Sequence, residues 1–207
     1  MTRNLKLLLG STALALAATA ILLPPGLPGA TRTEHLPALG IAPSPPLTTE
    51  PSGSTERVTA APSRIAIPAI GVETTVSSAP RTPDSWDVSR LGWQAGHLEG
   101  TAYPGQGSNV VLGAHRYLRV TRSSPSSPGP FAAIDRLQPG DRVEVTAGGS
   151  VYVYAVTEQL RVARHEMWVV GPTGQEVLTL LSCDTWNPQT LRFDKRLVVR
   201  ADLLEVL

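Results

Sequence analysis

The chain has 207 residues, with 18 Lys and Arg against 17 Asp and Glu, a formal net charge of +1 and a single cysteine. This length predicts one ordinary domain with extensions, and one cysteine excludes an internal disulfide. The near-neutral charge, without a basic stripe carrying interleaved aromatic residues, argues against nucleic acid as a partner.

The first 25 residues have the pattern of an export signal. Arg3 and Lys6 precede an uncharged run at residues 7–23, which two prolines close. A run of about 17 residues is at the lower edge of a membrane span. We predict a signal-anchor transmembrane segment at 1–25, which makes the cell membrane a partner. The positive flank keeps the N-terminus in the cytoplasm, so the chain is single-pass with an extracellular domain. Small residues at 17–20 also suit a signal peptidase, so cleavage stays open.

Residues 26–62 are rich in Pro, Ser, Thr, Gly and Ala, with few large apolar side chains and no sustained period. Such a segment cannot bury enough apolar surface to offset the entropy of ordering. We interpret it as a disordered linker that separates the membrane from a folded domain at 63–207.

The folded part alternates mainly with period two, which is typical of half-buried strands. Pro68 interrupts the first run and makes it an edge or bulged strand. The stretch "PFAAIDRL" at 130–137 has a helical pattern. Many short strands joined by Pro/Gly-rich turns predict a mainly β fold, a closed or nearly closed barrel with one or two short helices. The alternating runs lie at 64–76, 108–115, 141–147, 150–162, 176–183 and 196–206.

Cys183 is the only thiol, and we place it at the end of the strand "EVLTLLSC" before the turn signal Asn187-Pro188. A strand end that opens into a loop is where scaffolds present reactive groups. A buried, inert cysteine is the alternative for an isolated thiol, and the residue alone leaves it open.

Two other residues are expected at the same rim. Arg196 begins the neighbouring strand, and His115 ends the strand "SNVVLGAH". A thiolate is a nucleophile, an imidazole carries protons, and a guanidinium can hold an oxyanion. Cys and His residues lack the spacing of a metal site, so no metal and no other cofactor is expected.

Four segments in order resemble the sortases, the cysteine transpeptidases of Gram-positive cell surfaces. They are "RIAIPAIGVETTV", "YPGQGSNVVLGAH", "PFAAIDRLQPGDRVEV" and "LTLLSCDTWNPQTLRFDKRLVV", and the resemblance covers nearly all of residues 64–207. It implies a sortase-like eight-stranded β-barrel as the catalytic domain. The subclass stays open, with classes D, E and F as the nearest types.

The resemblance implies Cys183 as the nucleophile, His115 as the general acid and base, and Arg196 as the oxyanion or substrate-positioning group. Arg192 and Arg200 are rival arginines. The chain departs from the family pattern at two places, since Ala114 stands where Gly usually precedes the histidine and Ser182 stands where Thr usually precedes the cysteine.

The resemblance also implies substrates and partners. The substrates are secreted proteins with a C-terminal Leu-Pro-X-Thr-Gly-type sorting signal, cut between Thr and Gly. The acyl group then passes to an amine of a peptidoglycan precursor or a pilin. Residues expected to contact the signal are Val162, Ala163, Trp168, Val169 and Ser182.

Two alternatives stay open. The "GAH" departure is compatible with a catalytically impaired, sortase-like scaffold or binding module. The second alternative is a different exported cysteine peptidase or transpeptidase, whose thiol and histidine would look the same in sequence.

Overall fold

The computed structural model describes residues 59–120 and 125–207. The predicted anchor at 1–25 and nearly all of the predicted linker at 26–62 lie outside these described residues. Within the two ranges, no helix is both long enough and apolar enough to cross a membrane.

The described residues are almost entirely β structure with three short 3₁₀ helices. The 3₁₀ helices are Pro68–Ile70, Ile134–Arg136 and Trp168–Val170. The strands are β1 (Pro62–Ile67), β2 (Val72–Ala79), β3 (Ala95–Leu98), β4 (Asn109–Gly113), β5 (Tyr117–Val120), β6 (Pro125–Pro128), β7 (Arg142–Ala147), β8 (Ser150–Ala163), β9 (Val177–Asn187) and β10 (Arg192–Val206).

Eight of these strands close into a barrel in the order β1-β2-β3-β4-β9-β10-β8-β7, while β5 and β6 form a separate hairpin. Strand β7 shows how the sequence produces the barrel, because Val143, Val145 and Ala147 are buried in the core and the residues between them face outward. The predicted mainly β, eight-stranded sortase-like barrel is confirmed.

The first predicted run, 64–76, is two strands rather than one. Pro68 has no N–H to donate to a ladder, and it opens the 3₁₀ turn Pro68–Ile70. Gly71 follows with φ +63°, a left-handed conformation that glycine adopts without a steric penalty. The chain therefore reverses, and β2 pairs antiparallel with β1, with Ile67 opposite Val72.

The prediction of a helix over 130–137 was wrong for most of its length, since only Ile134–Arg136 is helical, as a 3₁₀ turn. The Phe131 N–H donates to the His115 carbonyl at 3.1 Å, and the Ala132 N–H donates to the Gly129 carbonyl. The start of this segment is thus bonded to a distant part of the chain, and Phe131 and Ile134 are fully buried beneath it.

Candidate active site

Cys183 lies inside a strand, so its prediction as a strand end was wrong. Strand β9 continues to Asn187, because Asp184 pairs with Lys195 and Trp186 pairs with Phe193 across the β9–β10 hairpin. The Trp186 and Phe193 rings pack at 5.1 Å between centroids and stabilise this extension. Cross-strand pairs both before and after Cys183 therefore fix the position of its backbone.

Arg196 is the direct cross-strand partner of Cys183. Paired residues of an antiparallel ladder project to the same face with neighbouring Cβ atoms, so the guanidinium and the thiol share one face. The rival arginines lie elsewhere along β10. Arg192 is opposite Asn187 at the hairpin end, and Arg200 is opposite Thr179, where it pairs with Glu158 at 3.3 Å.

His115 follows β4, which pairs in parallel with β9 as far as Gly113 opposite Leu181. The Ala114 N–H extends this ladder by donating to the Leu181 carbonyl at 3.1 Å. Counting onward along both segments places His115 level with Cys183.

The three side chains line a common cavity of ≈ 90 Å³. Other walls come from β3, β4 and β9 and from the segment at 80–94, which connects β2 with β3. The remaining lining residues are Ser85, Trp86, Val88, Leu98, Gly113, Ala114, Leu181 and Ser182. A thiol, an imidazole and a guanidinium therefore surround one space, and their catalytic roles stay predictions.

Trp86 is a wall of this cavity that the sequence analysis missed. Its indole Nε1–H donates to the Glu99 carbonyl at 2.9 Å, and Arg81 lies over its ring at 6.0 Å. Trp86 also packs against a small core cluster formed by Ala79, Leu98 and Val111. The segment at 80–94 has no periodic pattern in sequence, so the position of Trp86 at the cavity depends on these long-range contacts.

A second cavity, of ≈ 490 Å³, shares Ser85, Trp86, Leu181 and Arg196 with the first and continues it toward residues 164–176, the β8–β9 loop. Val169, of the residues expected to contact a substrate, lines it.

The other expected substrate contacts have different surroundings. Val162 is 6% exposed and packs with Val169 and Val198 beneath the surface. Ala163 donates its backbone N–H to Glu166. Trp168 is 56% exposed, and Arg200 lies over its ring at 5.3 Å.

The two departures from the family pattern are in contact with each other. The Ser182 hydroxyl donates to the Ala114 carbonyl at 3.0 Å, and Ser182 is almost fully buried. The Ala114 methyl group packs with the main core. Both residues thus hold the segment before His115 against β9.

Within residues 59–120 and 125–207, the remaining polar groups do not form a metal centre. His97 in β3 is buried, and its Nε2 lies 2.9 Å from the Ala102 carbonyl. Burial lowers the pKa of His97, which favours its neutral form. In the part of the chain that the structure describes, no group of three or more His, Cys, Asp or Glu side chains is placed to hold a metal ion.

Gly129 holds the backbone of His115, and its role was not predicted. Its N–H donates to the Arg116 carbonyl at 2.8 Å. A Cβ at this position would lie 2.3 Å from the His115 carbonyl oxygen, closer than any non-bonded contact permits. Only glycine therefore fits between residues 128 and 130 without moving His115.

Burial raises the pKa of the Cys183 thiol, Arg196 opposes this shift, and Asp184 adds to it, with a net increase. We expect the alkylation rate of Cys183 by iodoacetamide to rise with pH around a midpoint above that of a free cysteine. Arg196→Gln removes the favourable cation and shifts the midpoint further upward, so alkylation at neutral pH slows. Arg192→Gln is the matched control and leaves the midpoint in place. A midpoint that is unchanged in Arg196→Gln would contradict this arrangement.

Gly129→Ala is expected to lower the free energy of unfolding by about 1–3 kcal/mol, because an extra methyl group here overpacks the backbone. Gly174→Ala is the control, since no atom lies within 4 Å of the added Cβ. Urea denaturation of both variants measures the difference, and equal stabilities would show that residue 129 tolerates a side chain.

Comparison with known proteins identifies the fold and the family. A family model described as the sortase domain matches residues 65–204. The sortase A of Streptococcus agalactiae serotype III (strain NEM316) is 28% identical over 116 residues, which are 56% of this chain and 44% of that protein. The chain therefore spans less than half the length of the curated relative that it matches.

Solved structures of sortases have the same architecture. Sortase C-1 from Actinomyces oris superposes with a TM-score of 0.56 at 25% identity over 69% of this chain and 73% of that chain. A Clostridium perfringens sortase D5 transpeptidase superposes with a TM-score of 0.53 at 23% identity over 73% of this chain and 84% of that chain, a likeness of fold. With the family match over most of the barrel, the chain belongs to the sortase family.

Proposed function

We propose that the protein is a membrane-anchored cysteine transpeptidase that cleaves a Leu-Pro-X-Thr-Gly-like sorting signal between Thr and Gly. The observation that supports this most is the cavity shared by Cys183, His115 and Arg196. Membership of the sortase family supports the same class of reaction. In this proposal the active domain lies outside the cell, in keeping with the export signal predicted at 1–25.

Acylation uses all three residues. The Cys183 thiolate attacks the Thr carbonyl carbon, and the C–S bond forms as the carbonyl electrons move onto oxygen. The Arg196 guanidinium, on the same face of the sheet, donates hydrogen bonds to this oxyanion. When the oxyanion collapses, the C–N bond breaks and His115 gives a proton to the departing Gly amine. The product is a thioester on Cys183.

Transfer reverses these steps with a second amine. His115 takes a proton from the incoming amine, which attacks the thioester carbonyl, and Cys183 leaves as thiolate. The acceptor is an amine of a peptidoglycan precursor or of a pilin lysine. Cavity walls that include Trp86, Leu98 and Leu181 favour an apolar side chain of the sorting signal next to the thiol.

Intact-mass measurement tests this proposal on the full-length chain. The protein is incubated with Leu-(Pro/Ala)-X-Thr-Gly peptides, and glycine amide is added as the amine. We expect an adduct that carries the peptide as far as Thr, and no adduct in Cys183→Ala. Arg196→Gln slows acylation by about 100-fold, as loss of an oxyanion donor does, while Arg192→Gln leaves it unchanged. Absence of both adduct and transfer product from folded, reduced protein would reject the function.

A further inference from the structure

The ladder that aligns His115 with Cys183 stops before it reaches either residue. The last β4–β9 pair joins Gly113 with Leu181, and the last backbone bond joins Ala114 with Leu181. The Ser182 hydroxyl bond to the Ala114 carbonyl follows. Beyond the Ala114–Leu181 bond, side chains make the contacts between the His115 segment and β9.

The next contact is an ion pair between the residues that follow the histidine and the cysteine. Arg116 Nη1 lies 3.2 Å from Asp184 Oδ1, within ion-pair distance but without hydrogen-bond geometry. Both side chains are largely buried, at 12% and 13% exposed. Neither residue lines the catalytic cavity. Because successive strand residues face opposite sides, Asp184 lies behind the sheet when Cys183 faces the cavity.

Each residue of this pair also forms a second ion pair, with another charged side chain. Arg116 Nη2 donates to Oδ2 of Asp135, in the 3₁₀ turn Ile134–Arg136, at 2.7 Å. Arg161 of β8 donates from Nε to Asp184 Oδ2 at 2.9 Å, and its side chain is 51% exposed. Burial alone would lower the pKa of Arg116, but its bonds and the nearby carboxylates reverse this and raise the pKa, so its charge persists. A buried and doubly paired guanidinium has little freedom to move.

Taking these contacts together, we propose that Arg116 and Asp184 are positioning residues that hold His115 level with Cys183 from behind the sheet. The inference rests on the proposed function, in which His115 gives and takes protons at the bond made and broken by Cys183. Displacement of His115 by about 1 Å is enough to slow such a step up to 100-fold. The pair therefore contributes to turnover without touching substrate.

Arg161 provides the control that separates an effect of His115 position from an effect of positive charge near Asp184. It pairs with the same Asp184 carboxylate as Arg116 but belongs to β8, whereas Arg116 directly follows His115 in the chain. Arg116→Gln and Arg161→Gln each remove one positive charge from this carboxylate. We expect kcat for transfer to fall about ten-fold in Arg116→Gln through misplacement of His115 and to stay near wild type in Arg161→Gln. KM is unchanged in both, and Arg116→Lys recovers part of kcat because it keeps the charge but loses the two-carboxylate fork.

Asp184→Asn supplies an independent test if Arg116→Gln does not fold. It lowers kcat by breaking the same link, and it also removes the carboxylate that adds to the rise in the Cys183 pKa caused mainly by burial. The alkylation midpoint of Asp184→Asn therefore moves down. The charges that act on the thiol are those of Arg196 and Asp184, and the titratable His115 lines the same cavity. The double variant Arg116→Gln/Asp184→Asn has a kcat no lower than the worse single variant, because both act through one link.

The test measures kcat and KM on the full-length protein, together with the ¹³Cε1 resonance of His115, assigned by comparison with His115→Gln. This resonance is expected to shift in Arg116→Gln and Asp184→Asn and to keep its position in Arg161→Gln. Equal kcat losses in Arg116→Gln and Arg161→Gln would overturn the positioning role, and so would an unmoved His115 resonance. If wild type shows no transfer, the proposed function fails, while the resonance still decides whether the pair positions His115.

Discussion

Strand β9 is the element on which the whole site depends, because it is hydrogen-bonded in parallel to β4 and antiparallel to β10. The β10 ladder places Arg196 opposite Cys183, and the β4 ladder carries the chain toward His115. Both pairings belong to the closed barrel, so backbone hydrogen bonds hold β4 and β10 next to β9. A change of register by one residue would turn Cys183 away from the cavity.

The same burial that positions the thiol works against its reactivity. Removal from water raises the pKa of Cys183, and Arg196 is the nearby cation that opposes this effect. Arg196 therefore favours the thiolate, and in the proposed mechanism the same guanidinium also binds the oxyanion. Both effects would follow from the cross-strand pairing of Arg196 with Cys183, which puts the two side chains on one face of the sheet.

Local sequence predicts the barrel and its pairing better than it predicts contacts between distant segments. Period-two alternation and a turn at Asn187 were enough to put Cys183 and Arg196 on adjacent strands. The length of β9 was underestimated, because the polar residues after Cys183 are held by cross-strand pairing that no local pattern reveals. Gly129 and Trp86 were missed for the same reason, since each is defined by a contact far away in the chain. The helical pattern at 130–137 produces only a 3₁₀ turn, in which the Arg136 and Leu137 N–H groups donate to carbonyls three residues back and not four.

The most direct test of the central claim is the fate of a preformed Cys183 thioester as the concentration of glycine amide is raised. A transpeptidase site predicts that the thioester decays faster with more amine and that the product carries the amine. Decay that is independent of amine, with hydrolysed peptide as the product, would contradict the claim and make the protein a cysteine peptidase.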